Sequence, residues 1–236
     1  MNEPVGTTLS VRSTAQSTVA PDFVRLSGLL ELRRPGKSIA LTAVAEALQA
    51  LTTELAELGG VPLARQTERS ELTWSARSAT THPEHRYNKS SGEPEQTGNT
   101  VADVSVGIVV RDFARLPGLG AALARHEAFD LQATVWGVDE DNAAWSSIRA
   151  DAIGAALRKG RDYADALGGR VVRIDHIADA GLLGSDTSDA EFRFPRAASL
   201  SGQADSAPTL DPVPQVLSAT IDARLVAIID EVPAIL

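Results

Sequence analysis

Alternation of apolar and polar positions begins almost at once. Over residues 7–16, Leu9, Val11, Ser13 and Ala15 fall on one side and Ser10, Arg12, Thr14 and Gln16 on the other. That period of two is the signature of a half-buried strand. Ala20-Pro21-Asp22 breaks it, and Val24, Leu26, Gly28, Leu30 and Leu32 then line one face of a second strand. The short connection predicts that the two strands pair antiparallel. The period changes after Ser38, read as an N-cap. Leu41, Val44, Leu48, Leu51, Leu55 and Leu58 recur at three- and four-residue steps as far as Gly59-Gly60. This is an amphipathic helix whose narrow leucine stripe suits packing on a sheet.

A further strand is expected at about 62–75, carrying Leu63, Leu72 and Trp74. Residues 76–98 are polar and aperiodic and read as a long loop. Alternation returns at 100–111 through Val104, Val106, Ile108 and Val110. Asp112 opens a turn, and Pro117 suits the first turn of a short helix reaching about His126. Phe129 to Val138 reads as the next strand. The longest helix-compatible run follows, Asp139 to Gly168, with Asp139, Glu140 and Asp141 placed to cap it and to meet the positive end of its dipole. A strand at 170–178, a second long loop at 179–214 and a closing strand at 216–229 complete the chain.

The order ββαβ, then βαβαβ, then β predicts an α+β fold: two small sandwich-like halves, with mixed sheets covered by helices. Residues 1–98 form the first half, completed by the closing strand at 215–230. Residues 99–178 form the second half, and 179–214 is a loop or extension.

Composition narrows the partners. The chain of 236 residues is 43% hydrophobic but only 4% aromatic, so its core is built from Ala, Val and Leu. A net charge of −9 argues against nucleic acid or an anionic membrane, whose binding needs clustered Lys and Arg. Arginine supplies 19 of the 22 basic residues, a coding bias rather than a phosphate-binding signal. With no cysteine, disulfides, thiolate metal sites and cysteine catalysis are excluded. The opening stretch has no basic start before an apolar block, and no run approaches the roughly 20 apolar residues of a membrane span. A soluble cytoplasmic protein is therefore expected.

Three stretches stand in order along the chain: Ala20-Pro21-Asp22 between the first two strands, Val110-Arg111-Asp112-Phe113 with Leu116 at the step from strand into helix, and Ala156, Lys159, Gly160, Ala164, Leu167 and Gly168 along the long helix. They resemble the A-x-PD start, the V-R-D-L-x-x-L step and the A-x-x-K-A-x-x-x-A-x-x-L-G helix (with glycine in place of one alanine) of the SIMPL-domain family, which includes bacterial periplasmic immunogenic proteins. The resemblance implies a two-part α+β protomer with a ferredoxin-like second half. It also implies homo-oligomers, some ring-like, linked to envelope or oxidative-stress defence, and commonly export behind a leader. It defines no catalytic residue, and Lys159 reads as a solvated or ion-paired lysine.

Candidate chemistry is thin. His82-Pro83-Glu84-His85 offers two imidazoles and a carboxylate, but the proline forbids the helical geometry of an H-E-x-x-H site. His126 at a helix end and His176 on a strand near Asp175 and Asp179 read as structural. Asp139, Glu140 and Asp141 could form an acid/base or metal cluster but read better as capping. Pro117-Gly118-Leu119-Gly120 lacks the spacing of a phosphate loop, with Leu123 where a third glycine belongs. Ser185 and Ser199 have no identifiable base. Trp136 reads as core or as a subunit interface, where tryptophan is enriched. No catalytic, metal or cofactor residue is assigned, and no cofactor is expected. The expected function is a non-enzymatic homo-oligomeric scaffold. The alternatives are a small-molecule binding module with a cleft between the halves and, further off, a metal or hydrolytic enzyme using His82, His85 or the 139–141 carboxylates. The small faces of Ala156, Gly160 and Ala164 are predicted to pack tightly on the sheet of the second half.

Overall fold

A computed structural model describes residues 6–68, 70–87, 92–180 and 210–229. Among the described residues, nine strands and three α-helices run in the order β1 (Thr7–Val19), β2 (Phe23–Pro35), α1 (Lys37–Glu57), β3 (Val61–Pro62), β4 (Leu72–Ala76), β5 (Thr80–Tyr87), β6 (Pro94–Val110), α2 (Leu116–Arg125), β7 (Phe129–Gly137), α3 (Ala144–Ala166), β8 (Gly169–Asp179) and β9 (Gln215–Ile229). Strands and helices alternate as an α+β fold with mixed sheets, and helices pack on the sheets. The chain divides into two compact units.

The larger unit holds a sheet in the order β3-β4-β6-β2-β7, with β5 paired to the extended start of β6. Within it, β2-α1-β4-β6-α2-β7 is a βαββαβ path with spatial order β4-β6-β2-β7 and antiparallel pairing throughout. That is ferredoxin-like topology. It lies over residues 23–137 rather than in the predicted 99–178 segment, which is split: β6, α2 and β7 stay here, while α3 and β8 belong to the other unit. The alternation of β2 and β6 explains the core. Val24, Leu26 and Leu30 meet Val110, Ile108 and Val104 across the pair, and all six are buried. Helix α1 covers β2 and β6 with Ala40, Val44, Leu51 and Leu55, while α2 adds Leu116, Leu119 and Leu123.

The leucine stripe predicted a helix, and α1 is one, but its start differs. Ser38 lies inside the helix; Gly36 is the N-cap, with no side-chain capping bond. By length and mean hydropathy alone α1 is long and apolar enough to cross a membrane, contrary to the sequence expectation. Its apolar stripe faces the sheet, as in a core helix.

The smaller unit is a three-stranded antiparallel sheet, β1-β9-β8, with α3 on one face. The predicted pairing of the first two strands is therefore corrected. β1 pairs with β9 through thirteen positions, Thr7 opposite Ala227 to Val19 opposite Gln215, whereas β2 pairs with β6 and β7. The Ala20-Pro21-Asp22 break hands the chain from one unit to the other instead of making a hairpin. The closing strand completes this unit, not the one containing α1. Leu9, Val11, Leu225 and Ala227 meet α3 on its Ala152, Ala156, Gly160 and Ala164 face. The prediction that this small face packs tightly is met, on β1 and β9. A Cβ on Gly160 would overlap Leu225 Cδ1.

The polar 76–98 segment is not a loop over its described part. β5 and the first half of β6 form an antiparallel ladder, with Thr80 opposite Asp103 and Tyr87 opposite Pro94. Most side chains of this hairpin are exposed, so no apolar alternation announces it. Of the predicted 179–214 loop, residues 181–209 lie outside the described residues.

Candidate functional site

The histidine motif ends up on an exposed strand. On β5, His82 Nδ1 lies 3.8 Å from Asp103 Oδ2. Glu84 is engaged elsewhere, accepting from Thr97 Oγ1 at 2.5 Å and Asn99 Nδ2 at 2.9 Å with Arg33 Nε at 3.4 Å. These two hydrogen bonds, Thr97 first, hold the Glu84 carboxyl below the ordinary carboxylate range. A ladder irregularity falls between Pro83 and His85. Among the described residues no three His, Asp or Glu side chains come together as metal ligands.

The acidic run does not cap its helix. α3 starts at Ala144, with no acidic residue in its first turn, and Asn142 Oδ1 accepts from the Ala144 amide at 2.9 Å. Asp139 contributes its backbone carbonyl, which accepts from the Trp145 indole Nε1 at 2.9 Å. The correction has a simple cause: the three carboxylates lie three to five residues before the helix start, and Asn142, two residues before it, is the side chain that meets a free amide. Pro117 occupies the first turn of α2, as its fixed φ favours, and Gly120 is buried.

His126, at the end of α2, has a side chain only 12% exposed, with Nε2 3.3 Å from Glu54 Oε1. Glu54 also accepts from Arg125 Nη2 at 2.7 Å, and that bond leads in lowering its pKa. The three side chains tie α1 to α2. His176 is exposed on β8 opposite Arg224. Trp136 packs edge-on against Phe113 at 5.4 Å, joining the core of its unit. Lys159 Nζ donates to the Arg12 carbonyl at 3.4 Å and lies 5.9 Å from the Tyr163 ring centroid, an exposed structural contact. Ser185 and Ser199 lie outside the described residues.

Two polar clusters were not legible as sites. Arg115 donates to the Leu58 carbonyl, to Glu71 at 2.5 Å and to Asp112 Oδ2 at 3.1 Å, fastening the end of α1, the start of β4 and the turn before α2. Its pKa is raised, chiefly by the Glu71 bond. In the other unit, Arg12 forks onto Asp222 at 2.6 and 2.9 Å across the β1–β9 pair, and the same hydrogen bonding raises its pKa. Both clusters brace strands and helices, and neither faces a nucleophile.

What the smaller unit does present is apolar surface. α3 lies over β1 and β9 more than over β8. Ile174 and Ile177, which sit opposite core-facing Leu225 and Ala223, are therefore 49% and 38% exposed. Val172 on the same strand and Tyr163 and Leu167 at the end of α3 are also exposed. β8 is an edge strand, and its ladder is interrupted between Val171 and Arg173 and again between Ile174 and His176. Such irregularities turn an edge away from continuous strand addition, leaving side chains as the means of contact.

A family model described as "SIMPL: Protein of unknown function (DUF541)" matches residues 9–225 of the chain. No curated protein matches it.

Proposed function

The chain belongs to the SIMPL family, and on that premise we propose a non-catalytic, soluble homo-oligomeric scaffold whose copies meet at the uncovered flank of the smaller unit. The observation that carries this reading is the cluster of exposed Val172, Ile174, Ile177, Tyr163 and Leu167 around β8 and the end of α3. Large exposed apolar side chains gathered on one strand and the helix end that leads into it are the kind of surface that marks association sites. The strand also suits a twofold contact. A twofold axis would bring the same Ile174 and Ile177 side chains of two copies together. A part in envelope or stress defence rests on the family resemblance alone.

Static light scattering on the purified full chain tests the reading. A particle of two or more copies at tens of micromolar is expected, and a strict monomer at that concentration overturns it.

A further inference from the structure

The larger unit carries a groove on the face of its sheet that the helices leave open. Strand alternation sets the floor. Leu72, Val24 and Val110 point into the core, so Thr73, Arg25 and Val109, their neighbours in sequence, face the other way. Thr73 lies opposite Val109, and Val109 opposite Arg25, in one row across three strands. The turn after β3 raises a wall at Leu63 and Gln66, and Arg111 stands beside Arg25. The cavity so enclosed is about 350 Å³, at the small end of ligand-site volumes.

Two features distinguish it from an ordinary shallow surface. Thr73 is 4% exposed and borders the cavity, and its hydroxyl has no hydrogen-bond partner among the described residues. At the other end, the guanidinium carbons of Arg25 and Arg111 lie 5.8 and 5.5 Å from the centroid of the Phe23 ring. Arg25 has no carboxylate partner among the described residues. Between the two ends the floor is low, because Gly107 has no side chain and a Cβ there would come within 3.3 Å of Ser75 Oγ.

We propose that this groove binds a small monocarboxylate with a flat apolar body and a polar far end. The carboxylate sits on Arg25, whose guanidinium edge matches a carboxylate, with Arg111 lining the same cavity. The body lies on Val109 against Leu63. The far end meets the Thr73 hydroxyl, about 10 Å from the Arg25 backbone at two inter-strand spacings. Glu68, Glu71 and Asp112 adjoin Arg111 on its outer side, and their repulsion selects a single negative charge over a phosphate or dicarboxylate. The inference is independent of assembly, since it concerns another unit and another surface.

The test is an amide-resonance titration of the full chain with 4-hydroxybenzoate. Neutral 4-hydroxybenzamide and benzoate, which lacks the far hydroxyl, serve as comparison probes. Saturable shifts at Thr73, Gly107 and Val109 are expected, with the amide binding at least about tenfold more weakly. Arg25→Gln, an exposed change, lowers carboxylate affinity by a similar factor. Thr73→Val removes the preference for 4-hydroxybenzoate over benzoate while leaving the melting temperature unchanged or higher, because it deletes an unpaired hydroxyl. Equal binding of the amide, shifts centred elsewhere, or an unchanged preference in Thr73→Val overturns the proposal.

Discussion

The two units solve the same packing problem with opposite materials. In the larger one, two helices cover a wide sheet, and the core is filled with branched side chains: Leu26, Leu30, Leu51, Leu55, Leu72 and Ile108 are all fully buried. In the smaller one, a single helix covers three strands, and alanines make up much of the core, at Ala156, Ala164, Ala223 and Ala227. A narrow sheet offers too little area for large side chains to be enclosed on all sides. Close approach of backbones substitutes for volume, because dispersion contacts strengthen as the helix settles onto the strands. The consequence is an unshielded flank. A helix seated tightly on β1 and β9 leaves the far side of β8 bare, and the proposed association surface follows from how the small core is packed.

If that contrast is right, the two cores fail in opposite directions. Leu55→Ala, at a fully buried position of α1, should destabilise the chain by about 2–5 kcal/mol, since the cavity adds to the lost transfer energy. Chemical denaturation measures this directly. In the smaller unit the sensitive change is the enlargement of a small residue. Gly160→Val should destabilise by about 1–3 kcal/mol through overpacking, because the Leu225 side chain, at 0% exposure, would have to shift within a packed core. The modest gain in helix propensity on leaving glycine offsets part of that. A Gly160→Val protein as stable as the parent would mean that α3 rides loosely, and the contrast would collapse.

The same contrast separates what was legible in the sequence from what was not. The leucine stripe of α1 and the valine-isoleucine alternation of β6 are strong periodic signals, and α1 and the second half of β6 are where they were expected. The small-residue face of α3 was legible because Ala156, Gly160 and Ala164 share a helical face and all are buried. Strand partnership was not. β1 and β2 are adjacent and both alternate, and nothing local states that their partners are β9, two hundred residues on, and β6. The ferredoxin-like path was anticipated as a topology and misplaced in the chain for the same reason. The β5–β6 hairpin was missed because both its faces are polar, so burial left no period to read. The groove could not be foreseen either. Arg25, Thr73 and Val109 are scattered over 85 positions, and only strand register sets them in one row.

The flank itself can be tested without disturbing either core. Ile174→Lys with Ile177→Lys replaces two exposed side chains. Changes at such positions ordinarily move stability by no more than about 0.5 kcal/mol. The same pair should abolish the oligomer seen by light scattering, since buried lysines would face one another across a twofold contact. Lost assembly with an unchanged melting curve sharpens the contrast between packed and unpacked faces. Assembly that persists would place the contact elsewhere.

The smallest expected effect concerns acid, and it too divides the units. In the larger unit Glu54 and Glu84 have pKa values lowered from 4.5, by the Arg125 bond in one case and the Thr97 and Asn99 bonds in the other. A carboxyl whose folded pKa lies below its unfolded value binds fewer protons in the native state than in the unfolded chain. Its contribution is therefore complete above the unfolded value and is lost as pH falls through the folded one. In the smaller unit Arg12 is shifted the other way, upward, chiefly by its hydrogen bond to Asp222. Its own contribution is complete below the unfolded value and is lost only in strong alkali. Thermal melts of the parent from neutral pH down through the carboxylate range should hold level and then decline. In the Glu54→Gln, Glu84→Gln double variant the decline should be shallower, with a lower plateau at neutral pH. Both carboxylates are partly solvated, so the difference is a modest change of slope. Parallel curves for parent and variant would show that neither carboxylate carries the acid response of the larger unit.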